Sequence, residues 1–457
     1  MMLLNTQMAH ISEGVTFLFL GLLALMILAL ALEAKIHAHK SVITGVTAGI
    51  ALILGQALGI FDGLESHGSH MRFYVEFIDW GVIAIILGSS IFIDVTSKSG
   101  IFSWLAIKLT KMTKGDPFRL LLYYSLLTVI FSALLNNVTA MLIIGSLTAV
   151  SLSNLKRNDL LLGFLLCEGL LTNVGGLLTL ISSVPNIIVG NTAGISFATF
   201  FMISAPYVVI ATAATIFLAG KLFKIKPLKT EKEKAEAALL INDFDENEGV
   251  DSESFFVLGW IAFLSFILIL ATTDLIPYIS QLGIGFVAMA FGVMMLLKIK
   301  NRTEVTYQVL DWDLLFFFAF LFVVIGAMEH AQVLSLIGGL VVKLMELGDV
   351  AGPIALLWAS AAASSVTDNI PLAAMLAKTM HSLPEFSQSF WWSVIYGANL
   401  GGNITPIGSA STVVAVTVIQ KNGLKLSFVQ FITKAIPFAL IQLLLASGYI
   451  YLIGLLV

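Results

Sequence analysis

The stretch S-S-V-T-D-N-I-P, Ser364 to Pro371, sets an acid, an amide, three hydroxyls and a proline between apolar segments. Its reading decides the fold, because it recurs. S-A-L-L-N-N-V-T occupies 132–139, a shift of 232 residues. Three further matches keep the same order. I-D-W at 78–80 returns as L-D-W at 310–312, again shifted by 232. T-N-V-G-G-L-L-T-L-I-S-S at 172–183 returns as A-N-L-G-G-N-I-T-P-I-G-S at 398–409, shifted by 226. S-F-A-T-F-F at 196–201 returns as S-F-V-Q-F-I at 427–432, with Pro206 and Pro437 at the same shift of 231. Four ordered matches with nearly equal shifts indicate a duplicated chain.

The background is that of a membrane. The chain has 457 residues, 58% apolar and 11% charged, with a mean hydropathy of +0.98. A soluble domain of this size needs far more polar surface. Runs of about 20 apolar residues, as at 15–32, 42–60, 254–272 and 435–457, are long enough to cross a hydrocarbon core. The first run lacks the basic flank and cleavage site of a signal peptide. The single cysteine, Cys167, excludes an internal disulfide.

Ten crossings are predicted, near 15–33, 42–60, 79–97, 160–195, 200–222, 254–272, 282–298, 311–329, 390–420 and 430–457. The segments 118–153 and 350–381 are too long for one span and polar in the middle, so both are predicted to be re-entrant hairpins. This arrangement gathers 21 of the 24 lysines and arginines on one face, leaving Arg72, Lys343 and Lys378 on the other. The basic face is expected to be cytoplasmic, which puts the protein in the cytoplasmic (inner) membrane with both termini outside. Five crossings separate Asp79 from Asp311. Five is odd, so the halves should be inverted: 1–222 and 254–457, each of five crossings with a hairpin and a broken helix (160–195 and 390–420). Residues 223–253, basic then acidic, read as a cytoplasmic linker. I-F-S-W-L-A-I-K-L-T-K-M-T-K at 101–114 reads as an interfacial helix.

In lipid, irregular backbone is tolerated only where protein buries it or where it lines a wet cavity. Four polar breaks therefore form the candidate site. The hairpin tips contribute Ser132, Asn136, Asn137 and Thr139, and Ser364, Thr367, Asp368 and Asn369. The broken helices contribute Asn173, Gly175, Gly176, Thr179, Ser183 and Asn186, and Asn399, Gly401, Gly402, Asn403, Thr405, Ser409 and Thr412. Each break frees carbonyls that suit a cation and amides that suit an anion. The four glycines are expected to supply backbone conformations closed to other residues. Pro185, Pro371 and Pro406 each remove a donor that a break would strand.

Asp368 is the main clue, since a carboxylate at membrane depth costs about 2.5–3.5 kcal/mol and calls for a cation or a proton. Its repeat counterpart, Asn136, is neutral. Asp368, Asn137 and Asn369 are the candidate sodium ligands, and Glu168 is expected to face the same interior. Small polar residues also join helices without binding anything, so Thr172, Thr179 and Ser182 have a packing role as the alternative. Asp79 and Asp311, beside Trp80 and Trp312, read as helix caps. Asp94 and Glu329 read as paired or exposed acids near span ends. His37/His39 and His67/His70 have metal-like spacing but no third ligand. His330 and His381 read as interfacial.

These motifs resemble the ion transporter superfamily, most closely its arsenite-permease (ArsB), NhaD antiporter and P-protein branch. The resemblance rests on N-N-V-T-A-M-L at 136–142, E-G-L-L-T-N-V-G-G at 168–176, V-P-N-I-I-V-G at 184–190, D-N-I-P at 368–371 and G-A-N-L-G-G-N-I-T-P-I-G-S-A-S at 397–411. It covers most of the chain from about residue 79. It implies a dimer with a scaffold, a mobile transport part and elevator-like alternating access. The sequence departs from that branch where an Asp is common at Asn136, and where Asp-Pro-Pro-Asn is common at Ser183-Val184-Pro185-Asn186. Asp368 and Glu168 remain as the acids able to cycle a proton or hold sodium.

The sequence therefore predicts an all-α polytopic membrane protein of two inverted repeats, elevator type. It is read as a secondary active transporter of small ions, of the arsenite/anion-permease type, coupled to sodium or protons. The alternative is sodium/proton antiport with Asp368 as the exchange site. No cofactor beyond the coupling ion is expected. The expected partners are the ion substrate, the bilayer and a second copy of the chain, with no nucleic acid. An enzyme is disfavoured because H-E-x-x-H and G-x-S-x-G are absent. A passive channel is disfavoured by the paired hairpins.

Overall fold

The computed structural model describes residues 11–456 apart from 63, 65–71, 136, 243, 244, 246, 248 and 385. Asn136, His67 and His70 lie outside the described residues. Every regular element among those described is helical.

The first half runs α1 (Glu13–Ala31), α2 (Glu33–Ile36), α3 (Lys40–Ala57), α4 (Phe73–Glu76), α5 (Trp80–Ser97) and α6 (Ile101–Met112). It continues through α7 (Pro117–Leu134), α8 (Asn137–Asn154), α9 (Leu161–Gly175), α10 (Val184–Thr192) and α11 (Phe197–Leu222). After α12 (Glu231–Asn242) the second half runs α13 (Glu253–Thr272), α14 (Pro277–Lys298), α15 (Thr303–Val309), α16 (Trp312–His330) and α17 (Val333–Met345). It ends with α18 (Gly348–Val366), α19 (Asn369–His381), α20 (Ser389–Gly401), α21 (Ala410–Lys421) and α22 (Phe428–Leu456). The series α5–α11 is thus repeated one for one by α16–α22.

The packing repeats with the halves exchanged. α5 lies on α14 as α16 lies on α3, and α10 lies on α19 as α21 lies on α8. Such reciprocity is what a two-fold relation between halves produces.

Local chemistry starts the helices where the repeat demands. Asp79 accepts from the Val82 amide at 3.1 Å and Asp311 from the Leu314 amide at 2.9 Å, so both act as caps. Asp116 caps α7 through the Phe118 and Arg119 amides, at 3.0 and 2.9 Å, with Pro117 at the first helical position. Within α14 the chain bends at Gly283, whose φ of 76° is open to glycine.

Eleven helices among the described residues are long and apolar enough to cross a membrane by length and composition, including the hairpin arms α7, α8 and α18. The arms nevertheless end against the broken helices. Ser132 Oγ lies 2.5 Å from the Thr172 carbonyl oxygen, and Thr179 Oγ1 donates to the Ala133 carbonyl at 2.6 Å. The second half makes the same two bonds between repeat-equivalent positions. Ser364 Oγ donates to the Ala398 carbonyl and Thr405 Oγ1 to the Ser365 carbonyl, both at 2.6 Å. Each hairpin is fastened to its own broken helix in the same way.

The segment 223–253 is more than a linker. α12 packs on α6 and α8, Ile225 and Ile241 are buried, and the Leu228 amide donates to Asp116 Oδ2 at 2.8 Å. The cap of α7 thus also holds this segment. α6 forms as expected, with Lys108 over the Trp104 ring at 4.2 Å.

Candidate functional site

The two broken helices end at Gly176 and Gly402 and resume at Val184 and Ala410. The glycines do not serve the purpose expected of them. Gly176 and Gly402 both have φ of −58°, and none of the four falls among the positive-φ residues. They serve close approach instead. A Cβ at Gly175 would lie 2.7 Å from Val129 Cα, and one at Gly401 would lie 2.7 Å from Ala361 Cα. The hairpin backbone occupies the space a side chain would need.

Around these breaks the predicted residues form one buried network. Asn173 donates to Asn403 Oδ1 at 2.8 Å and to Ser409 Oγ at 2.9 Å. Its own Oδ1 accepts from Ser411 at 3.1 Å and from Asn137 Nδ2 at 3.4 Å. Ser132 Oγ closes on Asn137 Oδ1 at 2.5 Å. A second bridge joins Asn399 to Asn186 Oδ1 at 2.9 Å, with Ser183 donating to Asn399 Oδ1 at 2.7 Å. Asn186 also donates to the Gly176 carbonyl at 2.6 Å, and Thr412 Oγ1 to the Ser409 carbonyl at 2.8 Å. Asn173, Asn186, Asn399, Asn403 and Thr412 are fully buried. Each amide–amide bond is worth about 0.5–1.5 kcal/mol, and each partner left unmade costs about 1–3 kcal/mol. The network therefore fastens the two halves strongly while carrying no charge.

Asp368 stands outside that network. It caps α19, with Oδ1 accepting from the Ile370 amide at 3.0 Å, and its Oδ2 forms an ion pair with Lys40 Nζ. Lys40 opens α3 and was expected on the cytoplasmic face, away from the site; the structure joins it to the hairpin tip. The candidate sodium set is thereby divided: Asn137 bonds within the amide network, Asp368 to Lys40, and no hydrogen bond links the two. Asn369 is buried at the start of α19 and Thr367 is partly buried beside Asp368. No group of three or more His, Cys, Asp or Glu side chains suited to a metal occurs among the described residues.

Glu168 is fully buried but also apart. Its Oε1 accepts from Thr148 Oγ1 at 2.6 Å, and its Oε2 has no partner among the described residues. It faces α8 rather than the amides. Thr139 lies partly buried in the first turn of α8.

Cavities flank both tips. One of about 370 Å³, apolar apart from Thr179 in its lining, lies between Ala133 and Leu134 of the first tip, Phe197 and Phe201 of α11, and Ile267 and Ala271 of α13. One of about 140 Å³ lies between Thr367, Asp368 and Pro371 of the second tip and Ile27 and Leu30 of α1. Each tip thus reaches toward the final turns of a spanning helix.

Sequence reasoning missed three contributors. Gln442, fully buried in α22, accepts from Asn403 Nδ2 at 2.8 Å and donates to Thr215 at 3.0 Å; an amide inside the 430–457 span was its signal. Ser411 was within a quoted motif. Lys40 had no signal beyond its position. The acids near span ends are paired, Asp94 with Lys98 at 2.6 Å and Glu329 with Lys378 at 3.2 Å.

The chain belongs to the citrate transporter (CitMHS) family, whose profile matches residues 16–397. An uncharacterized transporter of Mycobacterium tuberculosis is 31% identical over 395 residues, covering 84% of this chain and 89% of its own length. The human P protein is 23% identical over 459 residues, covering 82% of this chain and 54% of its own length. Among solved structures, the YdaH transporter of Alcanivorax borkumensis aligns with a TM-score of 0.62 at 14% identity, over 92% of this chain and 98% of its own. MtrF of Neisseria gonorrhoeae, described as representing a class of antimetabolite efflux pumps, aligns with a TM-score of 0.56 at 14% identity, over 97% of this chain and 96% of its own. At such identities the solved structures speak for the fold alone. Family and fold make the chain a multi-pass membrane transporter and not an enzyme, and the P-protein resemblance holds.

Proposed function

We propose that this citrate-family member is a secondary active transporter of a small anion or oxyacid, coupled to sodium or protons through Asp368. The observation that carries the reading is the meeting of the two broken helices across Asn173–Asn403 and Asn399–Asn186, with a hairpin tip fastened to each. Unwound backbone at membrane depth has a function where it contacts a cargo. The start of α10 at Val184 has no side-chain cap, and the asparagines and hydroxyls around it add further donors. Such donors suit a carboxylate or a neutral oxyacid. The family's name favours a carboxylate such as citrate, and the arsenite-permease resemblance favours an oxyacid.

In this reading 1–222 and 254–457 are inverted repeats joined by 223–253 on the cytoplasmic side, with both termini outside. The exchanged packing of the halves supports the repeat, and the odd number of crossings inverts it. The hairpins and broken helices move as one part against the other helices in an elevator-like cycle, within a dimer in the cytoplasmic membrane. A second reading, sodium/proton antiport, is favoured by the single carboxylate of the tips, Asp368, which exchanges the two cations.

The test uses proteoliposomes with a trapped pH dye and no imposed voltage. Labelled citrate or arsenite uptake driven by a sodium or proton gradient, and lost in Asp368→Asn, supports the first reading. Sodium-evoked proton movement without either cargo, lost in the same variant, supports antiport. Gradient-driven transport that survives Asp368→Asn overturns the role of this acid.

A further inference from the structure

The Lys40–Asp368 pair joins the start of α3 to the tip of the second hairpin, beside the packing of α16 on α17 and α19. Lys40 begins α3, which packs on α1 and α16. Asp368 sits at the turn between α18 and α19, which pack on α20 and α17. The two residues are 328 positions apart. Their side chains are mostly buried, with 23% of Lys40 and 12% of Asp368 exposed. A carboxylate so placed needs a positive partner, and its partner here belongs to the protein.

The bonding of Asp368 leaves one oxygen for that partner. Oδ1 is committed to the Ile370 amide, and Oδ2 faces Lys40. The cavity beside Asp368, about 140 Å³, far exceeds the about 10–15 Å³ that one water requires. Its lining is apolar except for Thr367 and Asp368, so a small cation entering once the ammonium withdraws is directed to the same oxygen. The ammonium has somewhere to go. Glu33 of α2, Asp313 of α16 and His39 stand at this end of α3; the charges of Lys40, Asp368, Asp313 and His39 all act on Glu33, and those of Asp368, Glu33 and Asp313 act on Lys40. Asp313 is held by the Ser41 hydroxyl at 2.5 Å, with His39 Nδ1 at 3.9 Å. Burial raises the Glu33 carboxyl above its ordinary value of 4.5, Lys40 opposes that rise, and Asp368 and Asp313 add to it. An ammonium withdrawing from Asp368 stays under the influence of Glu33 and Asp313, whose charges both act on it.

We propose that Lys40 is a tethered counter-cation that occupies the coupling-cation position of Asp368, so that Lys40 pairing and cation binding exclude each other. One positive charge replaces another on Oδ2. Lys40 therefore sets the affinity for sodium or protons and returns Asp368 to a neutral pair when the cation leaves. This inference rests on the reading of Asp368 as the cation ligand.

The experiment is a melting titration of the full chain in detergent, against sodium with choline as the balancing ion, and separately against pH. A cation that binds only the folded state raises the melting temperature in proportion to its occupancy. Lys40→Cys is expected to lower the half-saturating sodium concentration, or to raise the pH midpoint, by about tenfold or one unit, within the usual range of coupling between competing ligands. Aminoethyl methanethiosulfonate then restores an ammonium on a side chain of similar length and returns the midpoint toward wild type. Methyl methanethiosulfonate does not. The native thiol, Cys167, is fully buried. If Lys40→Cys fails to fold because Asp368 is left unpaired, Lys40→Cys combined with Asp368→Asn removes the stranded charge. That double variant should fold and show no cation response. Unchanged midpoints in Lys40→Cys, or no difference between the two reagents, overturn the inference about Lys40. A wild-type response that persists in Asp368→Asn alone overturns the underlying reading of Asp368 instead.

Discussion

The first hairpin closes on Ser132 and Asn137, the second on Ser364 and Asp368. Both are fastened to their broken helices by the same two hydroxyl–carbonyl bonds, and both lie against a glycine that admits the hairpin backbone, Gly175 or Gly401. Beyond that they differ. The first tip turns its polar groups inward to Asn173 and borders an apolar cavity. The second carries a carboxylate, held by a lysine from outside the hairpin. The fastening is the same at both tips and the chemistry is not. One tip is neutral and bonded inward, and the other carries an ion-paired carboxylate.

The largest effect should separate the tips outright. Asp368→Asn abolishes cation-coupled transport in proteoliposomes, while Asn137→Ala weakens transport without removing its cation dependence. Loss of cation dependence in both variants would make the tips functionally alike.

Next comes the network between the halves. Asn403→Ala leaves one N–H of Asn173 and the Gln442 carbonyl oxygen without their partner, each at about 1–3 kcal/mol, and a lowered melting temperature reports it. The cavity comparison follows. Ala271→Phe fills space beside the first tip; if that tip moves, uptake slows while the melting temperature holds or rises.

A smaller effect tests the shared fastening. Thr179→Val and Thr405→Val each remove one bond to a tip carbonyl and should cost similar amounts, about 0.5–1.5 kcal/mol. A clear inequality would show that one tip is held more tightly. The smallest effect concerns Glu33. Its raised value means the folded chain holds this proton more tightly than the unfolded chain does. The contribution of Glu33 to stability is thus fully present below about 4.5 and is lost as pH rises through the raised folded value. Glu33→Gln should flatten that fall in a melting series.

Much of this was legible in the sequence. Apolar run length gave the long membrane-spanning helices, because a hydrocarbon core imposes it. The repeated polar motifs gave the hairpins and breaks, and the aspartates before Trp80 and Trp312 gave the caps. The glycines were identified correctly and explained wrongly, because sequence shows that a glycine is present but not what lies against it. Glu168 was expected among the amides and instead meets Thr148, since a position on a helix does not fix which neighbour its face meets.

The sequence by itself determined a helical membrane protein with recurring polar motifs, one of which carries an acid, Asp368. Periodicity, composition and repeats are properties of the chain, and the membrane acts on them directly. Only the tertiary structure decided that Asn173 pairs with Asn403 across the halves, that Gln442 completes that pair, and that Lys40 meets Asp368. These contacts join residues 39 to 328 positions apart, and their formation depends on the packing of whole helices.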